Sequence, residues 1–236
     1  MFFTFIIGCC FGSFINVIIY RLPIGESIIF PSSHCTKCNH KIYWYENIPV
    51  ISWIFLKARC SKCNVKISLM YPLIELITGL LFVLNNYSLN LRLAIGPQFL
   101  TVVCGWIFIS ILLAMAILDM QYFWLPDAIS KFGIFIALLI SVFLKIRYAN
   151  LTSDFFIIET ILAAFAGYFI FKCISAFGLM IYKKPAMGKG DSKLAALIGS
   201  WLGFNGLFLS IWLAFFFAGI FALLGLISKK INKDQK

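Results

Sequence analysis

QFLTVVCGWIFISILLAMAILD, residues 98–119, decides the fold. From Gln98 to Leu118 the run carries no charge, and it stops at Asp119. Crossing the hydrocarbon of a bilayer takes roughly 20 predominantly apolar residues as a helix. Worked outward, the same reading gives spans over residues 2–20, 71–87, 98–118, 128–146, 155–182, 192–204 and 207–228. Gly199, Gly203 and Gly206 interrupt the sixth, and Lys229-Lys230 close the seventh. The pattern predicts an all-α polytopic membrane protein.

Composition excludes the alternatives. Of 236 residues, 62% are hydrophobic and 12% charged, where a soluble domain carries about a quarter charged. A chain this short has too much surface per volume to hide that much apolar area from water. A soluble enzyme, a secreted disulfide scaffold and a disordered tail are all ruled out. The N-terminal Met1-Phe2-Phe3-Thr4-Phe5 lacks the charged start of a cleaved signal peptide, so residues 2–20 are expected to stay as the first span.

The net charge of +11 reads as membrane orientation and not as nucleic-acid binding, because basic residues accumulate in cytoplasmic loops. Arg21, Lys37, Lys41, Lys57, Arg59, Lys62 and Lys66 crowd the polar stretch 21–70. With that loop in the cytoplasm, alternation also brings Lys183, Lys184, Lys189, Lys193 and the tail inside. Only Arg92, Lys145 and Arg147 then fall outside. The N-terminus is therefore expected outside and the C-terminus inside. The organisation is bipartite. Residues 1–90 carry the polar loop, and residues 91–236 form a helical bundle.

Two CxxC pairs lie in the loop, Cys35-Thr36-Lys37-Cys38 and Cys60-Ser61-Lys62-Cys63, with 21 residues between them. Each turn lets two sulfurs reach one ion, and two turns complete a tetrahedron. Thiolates favour Zn²⁺, though iron fits the same geometry. Four cysteines leave no position for water, so the ion would be structural. Cytoplasmic thiols stay reduced, which argues against disulfides. His34 and His40 are read as surface residues beside a full coordination sphere. Cys9, Cys10, Cys104 and Cys173 lie in apolar segments and are read as small hydrophobes.

The chain has five aspartates, at 119, 127, 154, 191 and 234. Asp119 closes the third span, where a carboxylate at the edge of hydrocarbon is costly and is either functional or an interfacial group reaching out to water. Asp191 follows Gly188-Lys189-Gly190 and opens the next apolar run; a helix N-terminus there would favour its charge. Two carboxylates that approach one another cannot both ionise cheaply, so one keeps a proton and the pair supplies an acid and a base. Such a pair activates water against a peptide carbonyl and protonates the leaving amine. Asp127, after Pro126, is read as capping the fourth span. Glu75 is an acid inside the second apolar run and is either functional or hydrogen-bonded to a neighbouring helix.

These motifs together resemble the type IV prepilin peptidases. The resemblance runs over most of the chain. It includes Gly12-Ser13-Phe14-Ile15-Asn16-Val17 with Tyr20-Arg21-Leu22-Pro23, Pro31-Ser32-Ser33-His34-Cys35, and Glu46-Asn47-Ile48-Pro49-Val50-Ile51-Ser52-Trp53. It continues with Arg59-Cys60 through Cys63, Ile67-Ser68 with Tyr71-Pro72-Leu73-Ile74-Glu75, Asp119 with Leu125-Pro126-Asp127, and Gly188 through Leu194. The resemblance implies that Asp119 and Asp191 are the catalytic pair of a GxGD-type aspartic peptidase in the bacterial plasma membrane. It implies cleavage of the short basic leader of prepilins or pseudopilins at the cytoplasmic face. It further implies methylation of the new N-terminus with S-adenosylmethionine and a zinc-binding cytoplasmic loop. The N-terminal half would carry methyl transfer, with Arg21, Glu46, Asn47 and Glu75 as its polar candidates. Lys189 departs from the small or apolar residue expected inside the GxGD motif. The family is often drawn with eight spans, which brackets the expected count at seven to eight.

Three other readings compete. A membrane transferase without proteolysis would use the loop and Glu75. An ion-coupled transporter would need inverted repeats and acids near the midplane, and no repeat is seen. A secretion-system scaffold would dock through its cysteine ribbon.

Overall fold

A backbone in hydrocarbon must close its hydrogen bonds within its own segment, and every apolar run does so as a helix. The computed structural model describes residues 1–88, 97–147, 156–183 and 187–227. Arg92, Asp154, Lys184, Lys229, Lys230 and Asp234 lie outside the described residues. The helices are α1 (Phe2–Arg21), α2 (Ile51–Phe55), α3 (Met70–Ser88), α4 (Pro97–Tyr122), α5 (Asp127–Arg147), α6 (Phe156–Tyr182) and α7 (Lys189–Ile227). The chain divides by packing into two units, Met1–Trp124 and Leu125–Lys236. That partition groups α4 with α1 and α3.

Two features differ from the seven expected spans. Five helices among the described residues are long and apolar enough to cross a membrane: α1, α4, α5, α6 and α7. The second run, α3, forms where expected, but Glu75, Asn85 and Asn86 lower its apolar content. The sixth and seventh runs form one helical element, α7, broken only at Gly203. There φ is +65° and ψ −169°, a conformation open essentially to glycine. Gly199 and Gly206 continue the helix.

In the first unit α1 and α3 meet through small residues. A Cβ built on Gly8 would lie 2.7 Å from Gly79 Cα, and one on Gly12 would lie 2.6 Å from Glu75 Cα. Gly8-x-x-x-Gly12 is the spacing that lets membrane helices bring their backbones together. Polar clamps tie both ends. Asn86 Nδ2 donates to Thr4 Oγ1 at 3.2 Å, and Asn16 Nδ2 donates to the Tyr71 carbonyl at 3.1 Å. Asn85 Nδ2 reaches the Val102 carbonyl on α4 at 3.3 Å, and Phe82 stacks on Trp106 with centroids 5.2 Å apart.

In the second unit α6 and α7 pack by the same logic. A Cβ on Gly199 would sit 2.3 Å from the Ala163 carbonyl oxygen, and one on Gly167 would sit 2.5 Å from that of Ala195. Trp201 Nε1 donates to the Gly133 carbonyl on α5 at 3.0 Å. Beyond the break, Phe208, Trp212, Phe217 and Phe221 are all exposed. Such a surface suits lipid and not water.

Candidate functional site

The polar segment between α1 and α3 folds around its cysteines. The sequence Cys-x-Lys-Cys-Asn-x-Lys occurs twice, at 35–41 and 60–66, and each copy folds alike. In the first, the Cys35 amide donates to the His40 carbonyl at 2.9 Å and the Asn39 amide to the Cys35 carbonyl at 2.9 Å. In the second, the Cys60 amide donates to the Val65 carbonyl at 2.9 Å and the Asn64 amide to the Cys60 carbonyl at 3.0 Å. Single antiparallel bridges, His34 to Lys41 and Arg59 to Lys66, close the two loops. Asn39 and Asn64 both take positive φ, 54° and 55°, which asparagine tolerates better than most residues. Sequence reading saw two CxxC pairs; the longer repeat was there to be found.

The turns bring the four sulfurs of Cys35, Cys38, Cys60 and Cys63 within 4.8 Å of one another. Cys35 Sγ lies 3.8 Å from Cys63 Sγ. A tetrahedral zinc with bonds of about 2.3 Å separates its sulfurs by about 3.8 Å, so the donor set fits a metal ion. The Cys38 and Lys37 amides pull the Cys35 thiol down to about 6. The Val65 amide pulls Cys63 the same way, but desolvation and the three neighbouring sulfurs outweigh it and push that thiol up to about 11. Of these two thiols, Cys35 is the one ready to bind a metal as a thiolate at neutral pH, and Cys63 would give up its proton on binding. Neither histidine joins the cluster. His34 Nδ1 lies 3.1 Å from the Ser32 carbonyl, and His40 Nε2 lies 3.8 Å from Glu46.

Beside the ribbon a cavity of 370 Å³ opens between the loop and the cytoplasm-facing ends expected for α1 and α3. All four polar candidates line it: Arg21, Glu46, Asn47 and Glu75. Their roles differ. Arg21 is buried and donates to the Ser27 carbonyl at 3.0 Å and the Ser32 carbonyl at 3.4 Å, holding the chain after α1 in place. Glu75 is also buried. One oxygen accepts the Val50 amide at 2.7 Å, and Ser13 bonds the same carboxylate. Val50 centres a γ-turn: φ is 62°, ψ −49°, and the Ile51 amide meets the Pro49 carbonyl at 2.6 Å. A β-branched residue there is strained, and Glu75 receives the amide that the strained turn presents. Glu46 accepts the Tyr43 amide at 3.0 Å. Its carboxyl is held below the usual range by Ser61 and by that amide. Trp53, whose Nε1 donates to the Ile67 carbonyl at 3.3 Å, adds an aromatic wall with Tyr20 and Tyr71. Ser13, Tyr20, Trp53 and Tyr71 stand in the motifs quoted above, but sequence alone gave them no role, since a hydroxyl or an aromatic ring at a span end is also an ordinary interfacial side chain.

The two aspartates of the expected pair belong to different packing units. Asp119 sits exposed in the last turn of α4, which runs one turn past the expected end to Tyr122. Asp191, half-buried, is the third residue of α7. It accepts the Gly188 amide at 3.0 Å, half of a capping box at the positive end of the helix. Asp127, expected to cap α5, opens that helix, and its carboxylate pairs with Lys193, two residues beyond Asp191. Within the second unit the pair links the first turns of α5 and α7.

Fold and sites define a multi-pass helical membrane protein with a tetracysteine ribbon that could hold a metal. Residues 6–89 match the bacterial peptidase A24 N-terminal domain, and residues 106–223 match the type IV leader peptidase family. A prepilin leader peptidase/N-methyltransferase of Klebsiella pneumoniae is 38% identical over 211 residues, covering 87% of this chain and 86% of the relative. One of Neisseria gonorrhoeae is 30% identical over 256 residues, covering 98% and 82%. One of Myxococcus xanthus is 32% identical over 207 residues; the match takes in 87% of this chain and 57% of that longer relative. No solved structure gives a significant match. The chain belongs to the type IV leader peptidase family.

Proposed function

We propose that the protein removes the leader from type IV prepilins or pseudopilins and then methylates the exposed N-terminal amine. Asp119 and Asp191 are the proposed catalytic pair. The observation that carries this reading is that both carboxylates stand at helix ends within the 106–223 match. The ionised carboxylate takes a proton from water as its oxygen attacks the scissile carbonyl. The protonated partner hydrogen-bonds the carbonyl oxygen, and the leaving amine departs with a proton. A membrane-edge position suits a substrate whose leader stays in the cytoplasm. The basic loop 21–70 supports a cytoplasmic ribbon, with the N-terminus outside.

Methyl transfer is the reading for the first unit, with residues 1–90 as its functional part and residues 91–236 as the peptidase. The names of the relatives and the cavity beside the ribbon support it. Its volume is that of a small-molecule site. S-adenosylmethionine is the proposed donor, and zinc the proposed ion of the four cysteines.

The test uses purified protein with a full-length prepilin and S-adenosylmethionine. Wild type should shorten the substrate by its leader and add one methyl mass. Asp119→Asn and Asp191→Asn should each lose cleavage by about a thousandfold or more, as expected for groups that act as a unit. Cleavage persisting in both variants would end the aspartic mechanism.

A further inference from the structure

We infer that the cavity divides methyl transfer between two carboxylates, Glu75 receiving the amine to be methylated and Glu46 facing the positively charged donor. The inference rests on the methyl-transfer reading above.

Both acids are built alike. Each lines the cavity, and each spends an oxygen on one loop amide: Val50 for Glu75 and Tyr43 for Glu46. The clamp fixes the carboxylate and leaves acceptor capacity for a ligand. Among the described residues, neither acid pairs with an Arg or Lys. Arg21 is committed to the Ser27 and Ser32 carbonyls, and the nearest ionic contact of Glu46 is His40 at 3.8 Å. Two anchored carboxylates among the aromatic side chains of Tyr20, Trp53 and Tyr71 suit cationic ligands, since aromatic faces also attract positive charge. Methyl transfer from a sulfonium to an amine brings two such cations together.

The assignment follows from where each acid stands. Glu75 projects from α3, where that helix packs on α1, and is 8% exposed. It is the acid nearest the membrane helices, from which an apolar N-terminal segment would arrive. Glu46 belongs to the loop, bonded through Ser61 beside the ribbon, and not to a membrane helix from which the pilin segment would come. In the step, the substrate ammonium gives a proton to the Glu75 carboxylate and becomes a neutral amine. The nitrogen lone pair attacks the methyl carbon. The carbon–sulfur bond breaks with its electrons on sulfur, so the sulfonium becomes a thioether and the amine a methylammonium.

Glutamine tests this without removing the clamp, because its carbonyl oxygen still accepts the Val50 or Tyr43 amide. The full chain in detergent is given a mature, unmethylated pilin and S-adenosylmethionine, which bypasses the peptidase. Donor affinities are measured by calorimetry, and leader cleavage is followed separately on the prepilin. Glu75→Gln should cut methylation at least a hundredfold, keep S-adenosylmethionine affinity within twofold and leave cleavage intact. Glu46→Gln should weaken S-adenosylmethionine at least tenfold but barely change S-adenosylhomocysteine, which lacks the sulfonium charge. Methylation surviving in Glu75→Gln, or equal loss of affinity for S-adenosylmethionine and S-adenosylhomocysteine in Glu46→Gln, would overturn the division. A wild type that cleaves leader but neither binds nor uses the donor would overturn the methyl-transfer reading itself, and the division with it.

Discussion

The crossing of α6 and α7 has no room for a methyl group, and that makes a quantitative test. At Gly199 a Cβ would meet the Ala163 carbonyl oxygen at 2.3 Å, where ordinary contact begins at 3.4 Å. The obstacle is backbone, so no rotamer relieves it, and the helices must separate by about 1 Å locally. Overpacking of this kind costs roughly 1–3 kcal/mol, and a backbone clash belongs at the upper end. Gly219 lies in the same helix with nothing within 4 Å of its Cβ position. Gly219→Ala therefore carries the same gain in helix propensity without the clash. The difference between Gly199→Ala and Gly219→Ala isolates the packing cost at about 2–3 kcal/mol. For a chain of this length that is roughly 5–10 °C in midpoint. Thermal unfolding of both variants in one detergent reads it directly. Because Asp191 stands two turns before Gly199 on the same helix, Gly199→Ala should also slow leader cleavage. Midpoints of the two variants within 1 °C of each other would refute the packing argument.

Other outcomes follow from the sites. Asp127→Asn should reduce cleavage only severalfold, because its carboxylate pairs with Lys193, while Asp191→Asn abolishes it; equal losses in a peptidase assay would contradict the separation of roles. Cys60→Ser should lower bound metal, measured by elemental analysis, from one ion per chain towards none, and should speed trypsin cleavage at the lysines of residues 21–70. Metal affinity should fall as pH is lowered, since protons compete for the thiolates. The fall should steepen below about pH 6, where Cys35 also becomes protonated; a competitive chelator titration across pH 5.5–8 measures the slope.

Much of this was legible in the sequence. Length of apolar run fixes helices, because hydrocarbon offers the backbone no other partner, and each of the expected runs appears as helix. The tetracysteine cluster follows from spacing, since a CxxC turn is local. Elsewhere the determinants were not local. The value of Gly203 over Gly199 and Gly206 as a helix break depends on which glycine must take positive φ. In sequence Arg21, just after the first apolar run, and Glu75, inside the second, are both polar candidates for the same chemistry. Only the fold separates them, because Arg21 faces loop carbonyls and Glu75 faces a strained amide and a cavity. The Asp127–Lys193 pair joins residues 66 apart in the chain, and no periodicity points to it.

The ribbon ties the four-cysteine cluster to the cavity. Between Leu22 and Met70 the one buried residue is Cys60, so this segment has no apolar core to oppose its chain entropy. What fixes it instead is a set of point attachments: four sulfurs, the Arg21 guanidinium, the Trp53 indole and the Val50 amide on Glu75. Three of these hold residues of the cavity wall, and Cys35 and Cys60 are themselves part of it. A structural zinc contributes folding free energy on the order of 10 kcal/mol, far more than any of the single hydrogen bonds at about 1 kcal/mol each. An ion held by the four cysteines would therefore be the strongest of these attachments. Its loss should open the cavity while leaving α1 and α3 packed, because their contact rests on Gly8, Gly12 and Gly79 and uses no residue of the ribbon.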